Sequence, residues 1–431
     1  RVQTFEALEL ILGGARFEGR MERREPEDSK PWLDLALDGE ALDLDGIRAF
    51  MSLFVNDAGV NRLSGHDVDL DVKAGPVSAV GLQADTLDTA LRLREGVLEI
   101  DRLTLGGFAG AQLSATGQLR DFSTAPTGKI DATVLSTDLA DLAVTLAGRF
   151  PQNGVFGAIA GRAQAFPGLF EDAELNLVAS AADNNDGTVG IAVSAEGVAG
   201  GTDLSLSFSD RSPREDLLRG DFKLSLTADN DDAAVLYGLA GLPALPLGLV
   251  GGAKLELTAE GSLTDAIETE ASVTGEGLKA VFDGTLANAL STPALDGDVR
   301  LESNDIEPWL AVGGVVLPGF GLGMPVELAA ALEWSEKIVV LSGLEGAVVG
   351  SGVSGDLNIA LDGGKPRIDG ALDMARFDLA PAAELVLGPN VLSGEESGAW
   401  PEEPFGSDVD LPFSADLDLR TDSLWAGFLS A

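Results

Sequence analysis

Paired carboxylates are the most frequent chemistry-bearing groups in this sequence. Two of them a few ångströms apart could serve as acid and base in cleaving a glycosidic bond. They recur along the whole chain, as in Asp67–Val72 (DVDLDV) and Ala415–Arg420 (ADLDLR), so no single pair is marked out as a dyad. Spaced two apart between aliphatic residues, they describe the solvated face of a β-strand. The turn Asp183–Gly187 (DNNDG) begins like a calcium loop, but an EF-hand needs Gly at its sixth position and Glu at its twelfth. Here Gly187 is fifth and Ser194 is twelfth, and the stretch reads as a hairpin turn. His66 is the sole histidine and cysteine is absent, so the chain cannot assemble a His-based metal cluster, a thiolate site or a disulfide. No G-x-S-x-G elbow surrounds a serine. Gly319–Gly323 (GFGLG) lacks the Lys of a phosphate loop and the third Gly of a dinucleotide turn. The expectation is a non-catalytic protein with no catalytic residue, no metal and no cofactor.

Charge narrows the partners. Lys and Arg number 28 against 70 Asp and Glu, a formal net charge of −42. That balance repels phosphate backbones, which argues against nucleic acid, and it offers no basic surface to anionic lipid. The absence of cysteine is compatible with an oxidising compartment such as the periplasm. The first residue is Arg with no signal-like segment after it, and the last strand-like run stops at Ala431, so both ends are expected to be cut from a longer chain.

The elements behind these residues follow one grammar. Fifty-four glycines and recurrent period-2 alternation predict a mainly β fold with many tight turns. In Leu295–Leu310 (LDGDVRLESNDIEPWL), Val299 and Leu301 alternate with charged residues, Asn304 and Asp305 offer a cap, and Ile306, Trp309 and Leu310 recur at helical spacing. The same line recurs in Trp32–Ile47, Thr127–Leu142, Arg219–Leu236 and Arg367–Leu379. This brings Asp45, Asp138, Asp232, Asp305 and Asp378 into register at steps of 93, 94, 73 and 73 residues. The expected division is an N-terminal helix and linker at 1–31, with Phe5, Leu8, Ile11 and Leu12 on one helical face. Modules then follow at 32–137, 138–231, 232–304 and 305–377, each ending in a short helix, and an unfinished module occupies 378–431. A short helix is expected at Ile47–Phe54. In Leu91–Leu105 the pair Glu95-Gly96 marks a turn, and the apolar phase slips by one at Asp101-Arg102, which predicts a β-bulge.

Two runs of 19 residues carry no charge, Val235–Ala253 and Pro308–Val326. Each is long enough to span a bilayer, but its prolines and glycines would interrupt a helix at membrane depth. They start 73 residues apart, so each is read as a short helix plus an apolar loop covering part of a sheet. Lipid contact by these loops is the alternative.

Repeats of the form L-x-G-x-V-x-L-x-S-x-D, with Leu91–Leu119 (LRLREGVLEIDRLTLGGFAGAQLSATGQL), resemble the AsmA-like family of bacterial envelope proteins. Glu95–Leu119 matches the family's recurrent segment, and Leu411–Phe428 (LPFSADLDLRTDSLWAGF) resembles the opening of its C-terminal repeat. The resemblance covers most of the chain from about residue 32. It implies an elongated, twisted antiparallel β-sheet curled into an open apolar groove, related to bridge-like lipid-transfer proteins. It further implies a periplasmic protein held at the inner membrane by an N-terminal anchor that this sequence lacks. The implied partners are phospholipid or another acyl-chain lipid, the inner membrane and other envelope proteins, and the implied role is outer-membrane lipid homeostasis.

Strand alternation nominates the groove lining: Val68, Leu70, Val72, Leu91, Leu93, Leu98, Ile100, Val299, Leu301, Val326, Leu328, Leu332, Leu357, Ile359 and Leu361. Leu236, Leu239, Leu242, Trp309, Leu310 and Phe320 are the candidate apolar contacts from the loops and short helices. An acyl chain suits such a face, because each buried methylene contributes about 0.8 kcal/mol. The competing expectation is a structural or adhesive β-repeat scaffold whose apolar face is filled by its own side chains.

Overall fold

The computed structural model describes residues 1–12, 15–25, 30–43, 67–79, 82–121, 126–149, 154–184, 186–213, 220–245, 248–289, 292–361, 365–387, 413–426 and 429–430. Asp45, the helix expected at Ile47–Phe54 and His66 lie outside them. The chain divides into two units, Arg1–Leu217 and Leu218–Ala431, a boundary inside the expected 138–231 module.

The first unit contains β1 (Val2–Leu12), β2 (Ala15–Arg24), β3 (Trp32–Gly39), β4 (Asp67–Ala74) and the short β5 (Val77–Ala79) and β6 (Leu82–Ala84). Then come β7 (Thr86–Arg94), β8 (Val97–Phe108), β9 (Ala111–Arg120), β10 (Thr127–Asp138), β11 (Glu171–Asp183), β12 (Thr188–Ala199) and β13 (Thr202–Pro213). Apart from β5 and β6, which pair with each other, every strand bonds the one before it. All these pairs are antiparallel except β3–β4. The opening residues are therefore a β-hairpin, which corrects the expected N-terminal helix. A register shift between Phe5 and Leu8 in β1 explains the error. It sets apolar residues three apart on one strand face, and that spacing imitates a helical turn.

Local chemistry decides the other turns. Glu95 and Gly96 both take positive φ, 52° and 82°, the two-residue turn that matches strand twist between β7 and β8. Leu91 pairs with Ile100 while Ala90 pairs with Arg102, so Asp101 is the extra residue of the expected bulge.

The second unit contains β14 (Asp221–Asn230), β15 (Ala253–Ser262), β16 (Ile267–Gly275), β17 (Leu278–Ala287), β18 (Ala294–Ser303), β19 (Val326–Ser335), β20 (Ile338–Val348), β21 (Ser351–Ala360) and β22 (Arg367–Met374). The short β23 (Phe377–Asp378), β24 (Ser414–Thr421), β25 (Leu424–Ala426) and β26 (Leu429–Ser430) complete it. Strands β14 to β22 form an uninterrupted antiparallel meander, and β24 joins β22 in parallel. The bulge recurs here: Leu341 faces Leu357 but Leu344 faces Gly355, leaving one extra residue at Ser342–Gly343. Among the described pairings, β1 bonds only β2 and β24 bonds only β22, and neither unit's sheet closes into a barrel. The fold is mainly β, as expected.

Short helices punctuate the meander at Ala140–Arg149, Gly154–Ala165, Ala233–Ala240, Glu307–Val312 and Leu379–Leu387. Four of the registered aspartates start them. Oδ1 of Asp138, Asp232, Asp305 and Asp378 accepts from the backbone N–H two residues on, at 2.8, 2.9, 3.1 and 3.2 Å. These bonds satisfy N–H groups that the first helical turn leaves unpaired. Among the described residues, each of the two charge-free runs begins in a short helix and continues outside helix and strand, as expected.

Candidate functional site

The registers sort side chains onto two faces. In the first unit one row runs across eleven strands as Phe5, Met21, Leu35, Leu70, Leu91, Ile100, Gly117, Ile130, Ala179, Val193 and Phe208. The opposite face of β4, β7 and β8 carries interstrand ion pairs: Arg94 with Asp69, Arg102 with Asp71 and Asp88, and Arg92 with Asp101 and Glu99. The side-chain hydrogen bond from Arg92 holds the Asp101 carboxyl below the usual carboxylate range. Exposed pairs of this kind add little stability each, but they fix which face meets water.

In the second unit a comparable row is Ala228, Leu255, Val273, Ala280, Leu301, Leu328, Gly346, Val353 and Met374. The rows beside it, through Leu257, Phe282 and Val299 and through Ala259, Leu332 and Leu357, are also without charge. From β14 to β22 no Asp, Glu, Lys or Arg stands on this face.

Burial differs between the two faces. In the first unit Phe17, Leu35, Leu37, Leu70 and Val72 form a buried cluster with Leu42 and Val77, which bridge to each other past the ends of β3 and β4. Val68 and Leu93 are buried as well. Of the residues nominated as groove lining, Val68, Leu70, Val72 and Leu93 are thus buried in the chain's own side-chain packing, while Leu91, Leu98 and Ile100 stay half-buried. In the second unit the margin beside the helices is buried at Ala253, Leu278 and Val326, while Leu255, Leu257, Phe282, Val299, Leu301, Leu328, Leu332, Leu357 and Ile359 are only half-buried. The same face also holds a small buried cluster, Ala330, Leu344 and Val353, and is buried at Phe222, Ala228 and Ile267, so the half-open stretches lie between buried ones, and it is those stretches that another apolar body can cover. Leu361 lies just past the end of β21 and is exposed.

A cavity of about 310 Å³ closes the helical margin of this face. Its floor is Leu255, Val273, Ala280 and Leu301, and its roof includes Leu236, Leu242, Trp309 and Leu310 from the two charge-free runs. Leu239 and Phe320 are half-buried on those runs but do not line it. The roof is held together across 72 residues of chain. The Tyr237 hydroxyl donates to the Trp309 carbonyl at 3.1 Å, and the Leu245 N–H donates to the Val312 carbonyl at 2.8 Å. Burial pushes the Tyr237 hydroxyl above its ordinary pKa. Gly275 makes the roof possible, because a Cβ there would lie 2.2 Å from Cη2 of Trp309. Asp305 and Glu307 then pin the second loop, accepting from the N–H groups of Met324 at 3.0 Å and Gly321 at 2.6 Å.

Strand alternation nominated Val299, Leu301, Val326, Leu328, Leu332, Leu357 and Ile359, which share the uncharged face, but not Tyr237, Leu255, Val273 and Ala280, which line the cavity. For Leu255, Val273 and Ala280 the signal was period-2 spacing, which shows the face of a strand but not its partner across the sheet; Tyr237 lies on the helix Ala233–Ala240 and its bond to Trp309 has no local signal. The DNNDG stretch joins β11 to β12 as a hairpin, with the Asp186 carboxylate accepting from Thr188 and paired with Arg211. Among the described residues no cluster of His, Asp and Glu is placed to hold a metal ion, and no helix is long and apolar enough to cross a membrane. Comparison with protein-family models, curated proteins and solved structures finds no match.

Proposed function

We propose that this chain is a non-catalytic protein of the bacterial envelope that binds phospholipid acyl chains along its apolar sheet face. Localisation in the periplasm, anchorage at the inner membrane and a role in outer-membrane lipid homeostasis follow from the AsmA-like resemblance and belong to the same proposal. The observation that carries it is the uncharged, half-open face of β14–β22. A protein with net charge −42 that keeps nine consecutive strands free of charge on one side has reserved that side for apolar contact. Acyl chains meet the requirement, since the face supplies area without demanding hydrogen bonds.

The reading as a self-filled scaffold rests on a specific observation too, the buried cluster around Phe17, Leu37 and Leu70 in the first unit. The two readings separate by experiment. Native mass spectrometry and solvent extraction of the purified chain are expected to recover phospholipid. A chain that folds and carries no lipid supports the scaffold instead.

A further inference from the structure

The cavity under the two charge-free runs differs in kind from the open face beside it. It is walled on both sides, by the sheet below and by the helices Ala233–Ala240 and Glu307–Val312 above, and no charged residue lines it. The Tyr237 hydroxyl, on one lining residue, is already bonded to the Trp309 carbonyl. A water molecule held there would need two or more polar partners, and a lipid headgroup would need more, so the interior favours neither. At ~30 Å³ for a solvent-sized group, the space accepts a chain segment of roughly ten methylenes. Its exposed wall residues, Ala240 and Leu242, mark the mouth, and Leu242 is followed on the same loop by Leu245 and Leu249, which are also exposed.

We infer that this cavity is a tail-first acyl-chain site: it takes the methyl end of one straight chain and leaves the headgroup at the mouth beside Leu242. The inference rests on the lipid-binding reading of the face and adds to it a single, saturable site with a defined polarity. The face orients nothing, because each of its rows is alike. The cavity does, because a chain can enter it only by its apolar end. The roof hydrogen bonds between Tyr237 and Trp309 and between Leu245 and Val312 tie the two runs to each other over the floor.

The test uses the whole delipidated chain and trans-parinaric acid, a straight polyene fatty acid whose fluorescence rises in apolar surroundings. Ala280→Phe fills the cavity from its floor, and Leu242→Glu puts a charge at its exposed mouth, where folding is not at risk. Ala132→Phe makes the same volume change on the half-buried face of the first unit. The tightest binding site is expected to weaken at least about tenfold in both Ala280→Phe and Leu242→Glu and to survive in Ala132→Phe. Equal tight binding by wild type, Ala280→Phe and Leu242→Glu overturns the cavity assignment, and leaves the face reading standing if phospholipid still co-purifies. A wild-type chain that neither binds the probe nor carries phospholipid overturns both. Circular dichroism of each variant separates lost binding from lost folding.

Discussion

Gly275→Ala tests why the cavity has its shape. The added methyl would sit 2.2 Å from Cη2 and 2.6 Å from Cζ2 of Trp309, and 3.3 Å from Cβ of Ala253. Carbon atoms in contact prefer about 3.5–4.0 Å, so the indole must retreat by more than about 1 Å. Trp309 is 4% exposed and its carbonyl accepts from Tyr237, which leaves little room to yield. Overpacking of this kind costs about 1–3 kcal/mol. For a unit the size of Leu218–Ala431, each kcal/mol moves Tm by about 2–4 °C, so a fall of about 2–12 °C is expected. The assay is thermal unfolding followed by far-ultraviolet circular dichroism, which reads the sheet with and without the indole. In a Trp309→Ala background the clash is gone, and the same glycine substitution should cost almost nothing. That non-additivity is the signature of a direct contact. An unchanged Tm for Gly275→Ala, or an equal cost with and without the indole, would refute the packing described for the roof.

Three further outcomes follow from the same geometry. Asp232→Ala and Asp305→Ala should each cost about 1 kcal/mol in chemical denaturation as lost caps. Asp305→Ala should cost more, because the same oxygen also holds the Met324 N–H; equal costs would deny that second bond a role. The Asp186 carboxyl is held at about 2, first by the Thr188 hydroxyl, then by the Thr188 N–H and Arg211. Its contribution to the hairpin is present above the unfolded-state carboxylate pKa of about 3.9 and is lost as pH falls toward 2. Carboxyl NMR should show the midpoint rising in Thr188→Ala more than in Arg211→Ala, and the reverse order would contradict the bonding. Leu257→Glu, on the half-open face outside the cavity, should fold and lower recovered phospholipid, whereas Leu70→Glu, inside the packed cluster, should fail to fold. A folded Leu70→Glu variant would show that the cluster is not packed.

What could be read from residues alone was the chemistry that acts over a few positions. An aspartate that caps a helix bonds two residues on, so Asp138, Asp232, Asp305 and Asp378 announced four helices. A bulge shifts the apolar phase by one, so Asp101 was visible as a slip in a leucine pattern. The same device misled at the N-terminus, where the irregularity between Phe5 and Leu8 made a strand look helical. The cavity was out of reach for a different reason. It needs Tyr237 to meet Trp309, and Gly275 to stay without a side chain beneath the indole. No periodicity within one element encodes either contact. The equal 73-residue offset of the two charge-free runs hinted that they belong together, but only the register of β14–β19 sets them over one floor. Which parts of each unit's apolar face are buried, Phe17 to Val77 in the first and Ala330, Leu344 and Val353 in the second, is likewise tertiary, since buried and half-buried stretches are written in the same alternation of aliphatic and acid.

The central claim, that lipid lies against one face of the sheet, predicts a footprint with the period of a β-strand. Strand β15 offers the cleanest ruler, because Leu255, Leu257 and Ala259 are half-buried on the uncharged face while Glu256, Thr258 and Glu260 are exposed on the other. A photo-crosslinking residue placed at each of these six positions in the cell, followed by mass spectrometry of the adducts, reads the contact directly. Phospholipid adducts at 255, 257 and 259 and none at 256, 258 and 260 are the expected result. Adducts at neither set, or equally at both, would contradict the claim.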